Sequence, residues 1–313
     1  MVKVHASAPG KLILAGEHVS RYGKPALVFA IDQRIHAFIE LRNDSKIIIN
    51  CPEIGVENEE WPSDNEKINY VNVSVKKFFE KTGKKGSFIL TTKSEMIEGV
   101  GSSAASVVST LGALNEYFET KLTKKEIMDL GCSVIFEIQG FGSGIDIATA
   151  VYGGLIRFEK DKEPVLITNK QLPIVVGNTG FKIKSKPIVE AVQAKEKKYP
   201  DIFNPLIESI AKISVMEEEA IKKWDMQVLG ELMNLNHGLL YTEGVSSNIL
   251  EKLVWAAKDS GAYGAKLSGA GVGDNIIALC PEDKIDDIKE SIENDGGKIL
   301  PIKMDPNGLV VHK

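Results

Sequence analysis

Only three cysteines occur in the 313 residues, Cys51, Cys132 and Cys280, far apart and without a CxxC pair. That spacing argues against a disulfide framework or a zinc knuckle and predicts three small buried hydrophobes in a reducing compartment. Charge of one sign is also missing: 38 Lys and Arg stand against 43 Asp and Glu, a formal net charge of −5. So mild a balance gives no general reason to bind nucleic acid or an anionic membrane, and an anionic ligand would need a local site. No apolar stretch approaches the roughly 20 residues that span a bilayer. The first residues, Met-Val-Lys-Val-His-Ala-Ser, alternate and break at Pro9-Gly10, unlike the charged-then-apolar run of a signal peptide. Low-complexity linkers and internal repeats are lacking as well. The expectation is a soluble, cytoplasmic protein without nucleic-acid or membrane partners.

What is present points to a globular chain. With 43% hydrophobic residues and cores usually organised in domains of about 100–150 residues, one large or two closely packed domains are expected. Short β-branched or apolar runs predict strands over 3–7, 11–15, 26–31, 35–41 and 46–50. A helix is expected over 68–81, a strand over 86–93, and a buried helix over 102–119. Thr123 opens another helix, with Glu126 at the capping-box position. The Gly-rich segment 139–150 ends this half, followed by strands over 154–158, 165–168 and 173–177. Residues 187–260 read as mostly helical, with Pro200 and Pro205 as breaks. Strands over 264–268 and 275–280, a helix over 284–293, and strands over 298–303 and 309–312 close the last sheet. Two α+β lobes sharing a cleft and meeting near 160–175 are expected, with boundaries 1–165 and 166–313.

Four segments carry candidate chemistry. In Glu98-Gly-Val-Gly-Ser-Ser-Ala-Ala105, glycines between a strand and a helix let the backbone approach a ligand, and the helix offers unpaired N–H groups and its positive dipole end. That combination suits a polyphosphate, although neither GxGxxG nor GxxxxGK[ST] is present. The hydroxyls of Ser102 and Ser103 either cap the helix, touch phosphate or reach a magnesium ion. In Gly142-Ser-Gly-Ile-Asp146, the lone carboxylate either accepts a proton from an attacking hydroxyl or serves as a turn or cap residue. Lys266-Leu-Ser-Gly-Ala-Gly-Val-Gly-Asp274 reads as a ligand loop or as a hairpin or bulge. In Ala8-Pro-Gly-Lys11 and Gly16-Glu17-His18, Lys11 can stabilise charge on a transferring phosphoryl group, and Glu17 with His18 can bind a polar substrate. His5, His36, His237 and His312 lack metal-site spacing and are read as structural or surface residues.

Taken in order, these segments resemble the three motifs of the GHMP kinases, the family of galactokinase, homoserine kinase, mevalonate kinase and phosphomevalonate kinase. Leu12-Ile-Leu-Ala-Gly-Glu-His18, Tyr22-Gly-Lys-Pro-Ala26, Met233-Asn-Leu-Asn-His-Gly-Leu-Leu240, Gly244-Val-Ser246 and Asn307-Gly-Leu-Val-Val311 are similar to archaeal-type mevalonate kinases. The resemblance implies a ribosomal-protein-S5-like N-terminal lobe and a ferredoxin-like C-terminal lobe, with ATP and acceptor in the cleft. It implies in-line transfer of the ATP γ-phosphoryl to a primary alcohol with Mg2+. Asp146 and Lys11 fall at the catalytic positions. Glu98, Gly99, Val100, Gly101, Ser102, Ser103, Ala104, Gly269, Ala270 and Gly271 fall at nucleotide positions, and Glu17, His18, Ser143, Gly144 and Ser268 at acceptor positions. Ser103 falls at the metal position, and the family suggests a homodimer.

Three departures concern the acceptor and the metal. Ile135 occupies the place of a magnesium-binding glutamate, and Glu137, the nearby carboxylate, lies on another helix face. Residues 142–150 and Gly273-Asp274 look more like phosphomevalonate kinases. Mevalonate is the leading acceptor. Mevalonate 3-phosphate and 5-phosphomevalonate are alternatives, for which Arg21, Lys182, Lys184 and Lys186 are candidate phosphate partners. A non-catalytic ligand sensor on the same fold is the competing class.

Overall fold

The computed structural model describes residues 3–96, 99–181 and 184–312. In chain order the elements are β1 (Lys3–Ala15), β2 (Ala26–Leu41), β3 (Ile47–Cys51), β4 (Val56–Trp61), α1 (Asn69–Thr82), β5 (Phe88–Ser94), α2 (Ser102–Tyr117), α3 (Lys124–Gln139) and α4 (Ile145–Tyr152). They continue as β6 (Leu155–Phe158), β7 (Val165–Thr168), β8 (Ile174–Asn178), α5 (Ser185–Lys198), α6 (Pro200–Lys223), α7 (Met226–Glu243) and α8 (Asn248–Asp259). The last are β9 (Gly264–Ser268), β10 (Asn275–Leu279), α9 (Ile285–Asn294), β11 (Lys298–Leu300) and β12 (Val310–His312). This mixture of helices and largely antiparallel sheets is an α+β fold.

Contacts divide the chain into two compact units that interleave in sequence. The first contains the chain up to Lys11, Ala30–Gly154 and the segment from Asp305 on; the second contains Leu12–Phe29 and Leu155–Met304. A single cut at 165/166 would therefore divide both, because β1 and β2 each cross the boundary as unbroken strands.

In the first unit the strands follow the order β12-β1-β2-β5-β3-β4. Strand β2 pairs antiparallel with β5, whereas β3 and β5 run parallel, with β4 and α1 between them in the chain. Helices α1, α2, α3 and α4 pack on one another. Phe78, Phe79, Phe88, Tyr117 and Phe118 form a mostly edge-on ring cluster with centroids 4.9–6.4 Å apart, the arrangement that aromatic quadrupoles favour. The break expected at Pro9-Gly10 does not occur. Lys11 N–H donates to Val100 O at 2.8 Å, and a Cβ at Gly10 would lie 2.5 Å from that oxygen, so glycine keeps the strand extended against the 99–101 loop.

In the second unit, β6 pairs with the Ala26–Phe29 end of β2 and with β7. A separate antiparallel sheet has the order β11-β8-β10-β9. Helices α8 and α9 cover it, α7 packs on β9, and α6 on α7. The buried core includes Phe203, Ile210, Leu250, Leu253, Leu267 and Ile276; each fully buried apolar side chain of this size contributes about 1.5–3 kcal/mol.

Four expectations are corrected. Pro205 lies inside α6 rather than ending it. It sits early in the helix, where one missing N–H is tolerable beside the burial of Leu206, Ile207 and Ile210. The Gly-rich segment read over 139–150 gives way to a helix, α4, over 145–152, an element the sequence reading did not assign. Strand β4 had no apolar signature, since its exposed positions are Glu57, Asn58 and Glu60. Strand β12 pairs with β1, His5 opposite His312, and does not extend the β8–β11 sheet. Among the described residues no helix is long and apolar enough to cross a membrane.

Candidate active site

In the first unit, Lys11 from β1 and Asp146 from α4 form an ion pair at 3.4 Å. The Lys11 side chain is 12% exposed and that of Asp146 44%, so the carboxylate can reach a ligand while the ammonium stays sheltered. Asp146 lies in the first turn of α4, where the helix dipole favours a negative charge. Gly101 is the N-cap of α2 with φ 89°, and no side chain caps the helix. A Cβ at Gly101 would sit 3.2 Å from Lys11 Cγ, so this glycine is required both by its left-handed backbone and by the approach of lysine. Ser102 is exposed and Ser103 half-buried in the first turn. The anticipated serine caps are thus not made. The first N–H groups of α2, from Ser102 onward, begin beside the Lys11–Asp146 pair, an arrangement suited to phosphate oxygens. Glu98 lies outside the described residues. Ser143 Oγ accepts from Ile145 N–H at 3.4 Å, and Gly144 is the N-cap of α4.

Glu137 does not lie free as a metal ligand. Lys76 and Lys77 hold its carboxylate at 2.9 and 2.7 Å, and these lysines, Lys77 first, lower its pKa. Ile135 sits next to Gly142, at 3.2 Å from where a Cβ would be. With Glu137 held by two lysines, the hydroxyl of Ser103, half-buried in the first turn of α2, is the oxygen donor left of those expected for a magnesium ion. So few protein ligands fit an ion that keeps several waters and takes phosphate oxygens.

The second unit holds a buried polar cluster. Glu17 and Lys266, both with fully buried side chains, are ion-paired, and Lys266 Nζ also donates to Leu267 O at 2.8 Å. His18, with φ 62°, has Nε2 3.0 Å from Ala270 O. Burial, then the charge of Arg21, lowers its pKa to about 4, with the Ala270 carbonyl opposing. The ring is therefore neutral at pH 7, carries its proton on Nε2, and presents Nδ1 as an acceptor without a hydrogen-bond partner among the described residues. Ser268 donates to Ile13 O at 2.8 Å and accepts from Ile13 N–H at 3.0 Å. Its hydroxyl proton thus fastens β9 to β1, which leaves it poorly placed for the acceptor role expected of it. After Gly269, Ala270 and Gly271, Val272 and Asp274 hold φ of 65° and 58°. Left-handed backbone at a β-branched residue is strained, a feature that clusters at ligand sites.

Three buried polar residues of the second unit escaped the sequence reading. Glu217 on α6 is fully buried with both carboxylate oxygens unpartnered among the described residues. Burial raises its pKa well above the carboxylate range, Lys266 opposing and Glu17 adding. Asn236 on α7 is buried with both amide atoms unpartnered among the described residues. Burial pushes Glu243 up to about 8, with Arg21 opposing and Glu17 and Glu196 adding. The signal for Glu217 was its spacing from Ile210, Ser214 and Ile221 along one buried face of α6. Of the candidate phosphate partners, Arg21 faces Glu196 at 3.8 Å and the Tyr22 ring at 4.7 Å. Lys184 and Lys186 are exposed, and Lys182 lies outside the described residues.

A helix N-terminus without a side-chain cap, beside a lysine–aspartate pair, has the geometry of a phosphotransferase site. The models of the GHMP kinase N-terminal domain and C-terminal domain match residues 69–154 and 218–298, together more than half of the chain. A mevalonate kinase of Thermococcus gammatolerans is 36% identical over 100% of this chain and 99% of its own. The L. major mevalonate kinase solved with R-mevalonate has a TM-score of 0.79 at 27% identity, covering 96% and 95% of the two chains. The Methanococcus jannaschii mevalonate kinase gives 0.81 at 26%, covering 96% and 98%. The chain belongs to the GHMP kinase family. It is an ATP-dependent small-molecule kinase.

Proposed function

We propose that the acceptor is mevalonate and that the γ-phosphoryl of ATP is transferred to its 5-hydroxyl. The observation that carries this reading is the Lys11–Asp146 pair at 3.4 Å, tied through Lys11 N–H to the loop that opens α2. Asp146 orients the acceptor hydroxyl and takes its proton as the bond to phosphorus forms, and Lys11 offsets charge on the transferring group. Gly99, Val100, Gly101 and the first N–H groups of α2 take the phosphates, with Glu98, next to them in sequence, and Gly269, Ala270 and Gly271 as further nucleotide contacts. Ser103 would hold Mg2+ together with phosphate oxygens, and the ion would neutralise phosphate charge. Most of the rate comes from position and electrostatics, as in phosphoryl transfer generally.

On the acceptor side, Glu17 and the neutral His18 are assigned to hydroxyl and carboxylate recognition, with Ser143 and Gly144 near the reacting hydroxyl. Two findings favour mevalonate over its phosphates. The full-length relative at 36% identity is a mevalonate kinase. The fully buried cation of the second unit, Lys266, is already paired with Glu17, leaving it little to neutralise a second phosphate. Ile135 and Asp274 favour the second reading, a phosphorylated acceptor. ATP consumption measured in parallel on mevalonate, mevalonate 3-phosphate and 5-phosphomevalonate, with products located by phosphorus NMR, separates them. Mevalonate alone is expected to give a 5-phosphate; turnover confined to a phosphorylated acceptor would reverse the assignment.

A further inference from the structure

Three histidines read as unrelated in sequence meet on one face of the first unit. Residues directly opposite in an antiparallel pair share a face, and the register of β1 with β12 sets His5 against His312. Their rings stack at 3.9 Å between centroids and 16° between planes. His36 arrives from β2, with its Nδ1 2.8 Å from His5 Nε2. One ring nitrogen of each residue lies within 4.8 Å of those of the other two.

We propose that His5, His36 and His312 form a zinc site, with three neutral imidazoles as ligands and water completing the coordination. A tetrahedral Zn–N shell separates ligand nitrogens by about 3.3 Å, inside the range these rings already occupy. A set of three nitrogens with no oxygen ligand suits Zn2+ and disfavours Mg2+ or Ca2+. Metal-bound histidines are usually fixed through their second nitrogen, and His312 has such a group. Ser7 Oγ lies 2.8 Å from His312 Nε2 while accepting from Arg34 Nε at 2.9 Å; His36 Nε2 has the Glu95 carboxylate 3.4 Å away but makes no hydrogen bond among the described residues. A bound ion clamps the three-residue β12 onto β1 and β2. None of these residues takes part in the proposed phosphoryl transfer.

The test is calorimetric titration of Zn2+ into metal-free, untagged full-length protein without nucleotide, with thermal melting alongside. One Zn2+ per chain is expected, together with a raised melting midpoint. The exposed His312→Ala and the conservative His36→Gln should each weaken binding at least about tenfold and lose the stabilisation. No saturable binding, or unchanged affinity in the His36→Gln/His312→Ala double variant, overturns the site and leaves a hydrogen-bonded histidine cluster.

Discussion

Burial, more than ion pairing, sets the protonation of the acidic and imidazole groups around Glu17 and Lys266. Burial holds the His18 ring neutral and pushes the Glu217 carboxyl toward its protonated form, both against the charged state. Glu243, pushed up to about 8, gives a measurable consequence. Between the ordinary carboxylate range and pH 8 the folded state binds a proton that the unfolded state has released, so this group makes stability fall as pH rises through that window. Glu243→Gln should remove that fall: melting midpoints of wild type and variant should diverge from pH 5 to pH 8, with the variant gaining. Parallel curves would mean that Glu243 is already ionised when folded. At this scale the sequence was most legible where glycine frames a polar residue, as at Lys11 and Asp146. Glu217 was hidden because three consecutive glutamates, 217–219, look like a solvated acidic run, whereas the packing of α6 buries the first two of them.

Elements impose their own requirement at the start of α2. Gly101 must hold φ 89° while Lys11 passes 3.2 Å from the position of a Cβ. An alanine there faces about 1–2 kcal/mol of backbone strain and displaces either the loop or Lys11. For Gly101→Ala the KM for ATP should rise about tenfold, the equivalent of roughly 1.4 kcal/mol, with only a few degrees lost in melting midpoint. An unchanged KM would separate this loop from the nucleotide. Helices with strong boundary chemistry were readable, as at the Thr123/Glu126 capping box. Elements settled by tertiary contacts were not: β1 runs through Pro9-Gly10 because Val100 O accepts from Lys11, and α4 forms from an apolar, β-branched run because α2 and α3 bury it.

For the whole molecule, chain order is a poor guide to assembly. Leu12–Phe29 belongs with the second unit and the segment from Asp305 with the first, so a single division at 165/166 leaves out three changes of unit, two of them inside β1 and β2. Nothing local announces them, since β1 and β2 read the same on both sides of the boundary. The C-terminal strand likewise meets β1 through long-range pairing, which also assembles the histidines that sequence spacing left apart. Motif order and family membership, by contrast, were legible because the glycine-bearing segments keep both composition and sequence along the chain.

The central claim is that Asp146, beside Lys11, serves the transfer itself. Single-turnover phosphorylation of mevalonate by Asp146→Asn, compared with wild type at saturating ATP and Mg2+, measures it directly, with ATP affinity determined on the same samples. Loss of the proton acceptor should slow transfer by about 10²–10⁴, while ATP affinity stays within about threefold of wild type, because the phosphate-binding backbone of α2 is untouched. Transfer within tenfold of wild type would contradict the account and move the catalytic role away from Asp146.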